Sequence, residues 1–227
     1  SIETLINRSQ YYFPMFEEVL DKHNLPLEIK YLAVVESALK PRAKSRVGAT
    51  GLWQFMFATG KQYGLEVSSY VDERCDPLRS TNAAAKYLAS LYQTFGDWDL
   101  ALAAYNSGPG NVTKAIRRSG GYQNYWNIRP FLPSETAGYI PAFLATFYLF
   151  EYAESHGFKV QKNELPIIST DTIHVKQMIS LDQVADLTEC PRIDRGAGRN
   201  SWLSGASETA FRRVSDGGRI TFDSQAG

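Results

Sequence analysis

Apolar and polar positions along the first two-thirds of the chain recur at helical spacing. Phe13, Phe16, Val19 and Leu20 fall on one side of a helix expected from Tyr12 to Lys22. The next run opens at Pro26, tolerated at a first helical position, with Glu28 suited to the positive end of the helix dipole. Leu32, Val35, Ala38 and Leu39 then recur until Pro41 stops the run. Leu52, Phe55, Met56 and Thr59 place a helix from Leu52 to Tyr63, closed by Gly64 as a left-handed cap. Asp76 caps a longer helix from Pro77 to Gly96, with Ala84, Tyr87, Leu88, Leu91, Tyr92 and Phe95 as its buried stripe. Asp97 restarts the chain as an N-cap, and two short helices, Trp98 to Asn106 and Gly110 to Arg118, flank the Gly108-Pro109-Gly110 turn. Ser134 is expected to cap a long helix running to about His156. Its Tyr139, Ile140, Phe143, Leu144, Phe147, Tyr148 and Phe150 are apolar nearly all round, the pattern of a central buried element.

From Gly157 the character changes. Asp171 to Val175 alternates as a short strand, and Ser180 to Leu187 reads as a capped helix. Beyond Glu189, Gly, Arg, Ser and Asp follow without apolar periodicity, and little packed structure is expected. The expected organisation is a catalytic-size helical domain over 1–157, a linker with a small β-α segment over 158–189, and a poorly structured tail over 190–227. The fold class is mainly α.

Composition narrows the function. The 227 residues carry 24 basic and 24 acidic side chains, so no excess cation is available to neutralise a polyphosphate backbone, and nucleic acid is not an expected partner. Thirteen Tyr, twelve Phe and four Trp suit a well-filled core with some aromatic faces left for a ligand. Cys75 and Cys190 lie too far apart, and with too few partners, for a metal cage. No apolar run has the length of a membrane span, and Ser1-Ile2-Glu3 does not open a signal core; an exported chain of this kind is expected to have lost its address already.

Four segments carry candidate chemistry. Glu36 sits late in the apolar run Tyr31 to Leu39; it is either a general acid whose carboxyl is held neutral by its surroundings or a carboxylate on the solvent face of a core helix. Gly48-Ala49-Thr50-Gly51-Leu52-Trp53-Gln54-Phe55 is a glycine-bracketed turn that lets backbone approach a ligand. Gln54 there offers donor and acceptor to sugar hydroxyls, although a tight turn with a core Trp is the more usual origin of such a segment on its own. Ala103-Ala104-Tyr105-Asn106-Ser107-Gly108 ends a helix with polar groups; Tyr105 can aim its hydroxyl at a buried carboxylate and Asn106 can reach into a cleft, or both can simply close the helix. Glu135 and Tyr139 share a helix face, lining the same cleft or, for Glu135, complementing the helix dipole.

In this order, Glu36-Ser37, Gly51-Leu52-Trp53-Gln54-Phe55, Ala104-Tyr105-Asn106 with Gly108, and Glu135-Thr136 with Tyr139 resemble the Slt-type lytic transglycosylases. Trp53, where many relatives carry Met, points to the membrane-bound lytic transglycosylase D branch. The resemblance covers roughly residues 8 to 156. It implies a fold like goose-type lysozyme and peptidoglycan glycan strands as the partner. It also implies Glu36 as acid and then base, Gln54 and Asn106 as sugar contacts, Tyr105 as the holder of the carboxylate, Glu135 and Tyr139 as cleft lining, and Ser37 at the site edge. No cofactor or metal is implied, and a monomer is expected. The location implied is the periplasm or outer membrane, with attachment only through an N-terminal anchor absent from these residues. Residues 171–187 resemble the opening of a LysM-like unit.

A glycosidase with two carboxylates activates water or forms a covalent intermediate. One central carboxylate implies instead that the C6 hydroxyl of the sugar displaces its own neighbour, giving a 1,6-anhydro end. The alternatives are a hydrolytic muramidase on the same fold, with Asp72 or Glu135 activating water, and a non-catalytic peptidoglycan-binding protein. His23, His156 and His174 match no motif and are expected to be surface or structural residues.

Overall fold

The computed structural model describes residues 1–158 and four short strands between residues 171 and 211. The chain divides into two compact units, Ser1–Lys162 and Asn163–Gly227.

The first unit is helical. Ser1 caps α1 (Ile2–Lys22) through Thr4 N, so the helix begins ten residues ahead of its most regular apolar stripe and carries Pro14 inside. A 3-10 turn, Leu27–Tyr31, leads into α2 (Leu32–Ser37). The helix expected to run on to Pro41 therefore stops at Ser37. Ala38 and Leu39 adopt left-handed conformations, φ 52° and 56°, and their amides return to Val34 O and Ala33 O. The expected helix from Leu52 is likewise shortened: α3 spans Phe57–Gln62, because Gly51 (φ 91°) and Gln54 (φ 48°) turn the chain before it.

Asp76 and Asp97 cap α4 (Pro77–Phe95) and α5 (Trp98–Ser107) through the amides of Arg79 and Leu100, and Gly96 ends α4 in the left-handed region. Helix α6 (Pro109–Arg118) follows at once. Residues Leu100 to Ala104 of α5 are all buried, and this helix packs against α4, α6 and α8 (Ser134–Glu151). Ala83, Ala84 and Ala85 of α4 and Ala101, Ala103 and Ala104 of α5 are buried too, so the backbones can approach closely. The central element is thus α5 rather than α8. Helix α8 buries Thr136, Tyr139, Ile140 and Phe143 but leaves Leu144 and Tyr148 43% and 52% exposed. Ser134 is its first residue, Pro133 occupies the cap position without a side-chain bond, and the helix ends at Glu151, short of His156. A further short helix, α7 (Tyr125–Ile128), capped by Asn124, was not expected from the pattern.

In the second unit, β1 (Asp171–Ile173) pairs antiparallel with β4 (Thr209–Phe211), and β2 (Ile179–Ser180) with β3 (Trp202–Leu203). The strand expected at Asp171 is present. Ser180 ends a strand, and the helix expected after it lies outside the described residues, as do Cys190 and His174. Strands β3 and β4 fall where little packed structure was expected, because runs of two or three residues are too short to show an alternation. No helix among the described residues is long and apolar enough to cross a membrane.

Candidate active site around Glu36

Glu36 leaves α2 one residue before that helix ends. Protein surrounds its carboxyl on nearly all sides while a limited part of the side chain stays accessible. Burial pushes the carboxyl up to about 7. A hydrogen bond donated by the Tyr139 hydroxyl to Oε1 works against this rise, and the negative charge of Glu135 adds to it. Tyr139 is buried on α8, and its own hydroxyl is driven well above the ordinary phenol range by burial and by Glu36. Near neutrality the pair therefore holds a carboxyl poised between its protonated and ionised forms.

The turn ahead of α3 forms one wall. Thr50 and Phe55 exchange amide hydrogen bonds of 3.0 and 3.1 Å, closing a tight loop. Trp53 is fully buried, its ring 5.1 Å from that of Phe16 and its Nε1 donating 2.9 Å to Thr81 Oγ1. Gln54 is half-buried, and its Nε2 donates to the carbonyls of Gly51 and Ala43 at 2.8 and 3.2 Å. The amide nitrogen thus shapes the loop. Arg74 locks the same loop from behind: Nη1 donates 3.1 Å to both Gly48 O and Phe55 O, while Nε and Nη2 grip Asp72 at 2.9 and 2.7 Å. That fork holds the Asp72 carboxyl below its usual range.

On α5, the Tyr105 hydroxyl donates 2.7 Å to Trp53 O. This corrects the role expected for it: Tyr105 lies close enough to feel the Glu36 charge, but the hydroxyl that holds the carboxylate is that of Tyr139. The Trp53 carbonyl takes the Tyr105 hydroxyl, and the Glu36 carboxyl takes that of Tyr139. Asn106 Oδ1 accepts 2.8 Å from Thr136 Oγ1, which joins α5 to α8. Ser37, expected at the site edge, is buried with its hydroxyl returned 2.9 Å to Ala33 O. Glu135 is exposed on the first turn of α8.

The model of the transglycosylase SLT domain matches residues 14–128, the span that carries Glu36, the turn and Tyr105. The chain belongs to this family. The membrane-bound lytic murein transglycosylase D of Escherichia coli strain K12 is 34% identical over 184 residues, which cover 79% of this chain and 40% of that protein. The soluble lytic murein transglycosylase of the same strain is 35% identical over 127 residues, covering 53% and 20%. Among solved structures, the 70 kDa soluble lytic transglycosylase from Escherichia coli superimposes with a TM-score of 0.54 at 32% identity, covering 63% of this chain and 24% of that one. Its complex with bulgecin A gives 0.56 at 29% identity, covering 65% and 25%. The chain therefore spans about 40% of the length of the first of these relatives.

The structure gathers Glu36 and Tyr105 from the matched span and Tyr139 from beyond it into one electrostatic neighbourhood, with Glu135 acting on it from the exposed end of α8. Gln54 joins through its loop, since Tyr105 is bonded to the residue before it. Ser37 is directed back into its own helix. Sequence reasoning passed over Thr136 as anything but part of a motif, and gave Asp72 a chemical role that its ion pair with Arg74 does not leave free. The signal for the pair was Asp72-Glu73-Arg74, a charged run in which Arg74 is 7% exposed, something only the fold reveals.

Proposed function

We propose that the domain is a lytic transglycosylase that cleaves the bond between N-acetylmuramic acid and N-acetylglucosamine in peptidoglycan, with Glu36 as acid and then base. The observation that carries this reading is the Glu36 carboxyl itself. Burial lifts it to about 7, and it is bonded to a tyrosine rather than to a cation.

Glu36 gives its proton to the bridging oxygen as the bond to C1 of the muramoyl residue breaks. The sugar's own 2-acetamido oxygen supports the positive charge that develops there. The resulting carboxylate then takes the proton from the C6 hydroxyl, whose oxygen closes on C1 and leaves a 1,6-anhydro end. Tyr139, donating to Oε1, steadies the ionised form between the two transfers and leaves Oε2 for the substrate. Intramolecular attack has a high effective concentration, so water is outcompeted where it is kept away. Gln54 through Oε1, and Asn106 with Glu135, are proposed to meet sugar or acetamido groups, and Ser37 to support α2 from within. By analogy with the names of its relatives, the domain is proposed to act outside the cytoplasm, on the cell wall.

A hydrolytic route needs a second acid near C1. Asp72 is engaged by Arg74, which leaves Glu135 as the candidate. Mass spectrometry of fragments released from purified peptidoglycan separates the routes. Anhydro ends, one water lighter than reducing ends, are expected from the parent and none from E36Q. Reducing ends from the parent would establish hydrolysis, and an E36Q protein as active as the parent would remove Glu36 from the chemistry.

A further inference from the structure

Arg8 lies on the first half of α1, ahead of the residues that match the SLT family. Its Nη1 donates 3.0 Å to the carbonyl oxygen of Ala38, thirty residues away in the chain. Ala38 and Leu39 are the two residues on which α2 ends, and both are left-handed although each bears a Cβ, a conformation disfavoured for L-residues. Glu36 stands two residues before this turn on a helix only six residues long. The Ala38 and Leu39 amides are already used to close α2, on Val34 O and Ala33 O. The Ala38 carbonyl then accepts from a cation, at the helix end where positive charge is favourable.

The groups that act on the Glu36 carboxyl are Tyr139 and Glu135 from α8 and Tyr105 from α5. Arg8 reaches the backbone behind the carboxyl instead. We propose that Arg8 is a positioning residue: its guanidinium holds the Ala38–Leu39 turn in the left-handed form and so fixes where Glu36 emerges from α2 toward Tyr139. The inference rests on Glu36 being the proposed acid, and it adds a contribution from the N-terminal helix, outside the family match.

The test uses R8M, which keeps the stem and loses the donor, R8K, which keeps a donor and the charge, and the double variant R8M/A38G. Three quantities are read on the full chain: kcat and KM for release of anhydro ends, the midpoint of the Glu36 carboxyl from its carbon-13 shift, and the melting temperature. R8M is expected to lower kcat about tenfold with KM changed less than about twofold. The Glu36 midpoint is expected to fall from about 7 toward 4.5 as the carboxyl loosens into water. R8K recovers part of both. In R8M/A38G, glycine adopts the left-handed turn unaided, so kcat and midpoint return toward the parent values. Unchanged kcat and midpoint in R8M overturn the proposal, as does an R8M/A38G protein that is folded but as slow as R8M. If R8M does not fold, R8K and R8M/A38G decide by the same readings. Should the parent release no anhydro ends, the proposed function fails while the titration still decides the role of Arg8.

Discussion

Replacing Glu36 by Gln should make the protein more stable, and only above mildly acidic pH. In the folded state burial raises the carboxyl from 4.5 to about 7. Between those values the folded protein holds a proton that the unfolded chain has released, so unfolding free energy falls as pH rises. Stability is therefore full below about pH 4.5, declines up to about 7 and is level beyond. At about 1.4 kcal/mol per pH unit, the loss attributable to Glu36 is about 3 kcal/mol. Gln has nearly the same shape, keeps an oxygen to accept from Tyr139 and cannot ionise, so E36Q escapes this loss. Urea unfolding at pH 4 should give parent and E36Q nearly equal stabilities. At pH 8, E36Q should exceed the parent by about 3 kcal/mol, or about 6–12 °C in melting temperature for a unit of this size. Two proteins whose difference is the same at pH 4 and pH 8 would refute the premise that Glu36 is held neutral by its surroundings. A gain of this kind is the usual mark of a group kept for chemistry at the expense of stability.

Two further outcomes follow from the site's construction. G51A should cost at least about 3 kcal/mol, because an added Cβ would lie 1.8 Å from the Arg74 carbonyl oxygen at a φ of 91°. G48A, at φ 90° with nothing within 4 Å, should cost only about 1–2 kcal/mol; equal losses in denaturant unfolding would argue against the Arg74 contact. Y139F removes the influence that lowers the Glu36 carboxyl but leaves the burial that raises it, so the alkaline limb of the rate profile should move to higher pH while kcat near neutrality falls about tenfold or more. A limb that moves to lower pH would contradict the assigned bond.

The helical class and most helix ends could be read in the sequence wherever a residue type acts alone. Asp76, Asp97, Gly64 and Gly96 cap, turn or terminate as their side chains or their lack of one dictate. What escaped reading depended on partners distant in sequence. Nothing local distinguishes Ala38 and Leu39 from helix formers; their left-handed turn exists beside Arg8, thirty residues earlier. The apolar ring of α8 suggested burial on all sides, but burial is a property of what surrounds a helix, and α5 with its alanines took the centre. In the site, Glu36, Gln54, Tyr105 and Tyr139 could be singled out by residue type, whereas which tyrosine serves the carboxyl depends on how two different helices, α5 and α8, are placed around it.

Trp53 is fastened at three points: its ring against Phe16, its indole nitrogen on Thr81 and its carbonyl under the Tyr105 hydroxyl. A stretch of chain pinned in this way has no hinge of its own. It can leave its place only if the helices behind it part as well, so the glycan proposed above as substrate would meet a fixed template rather than a flap that folds over it. Selectivity at this wall must then be set by shape before contact, and tuning it requires altering the hydrophobic interior instead of the visible rim.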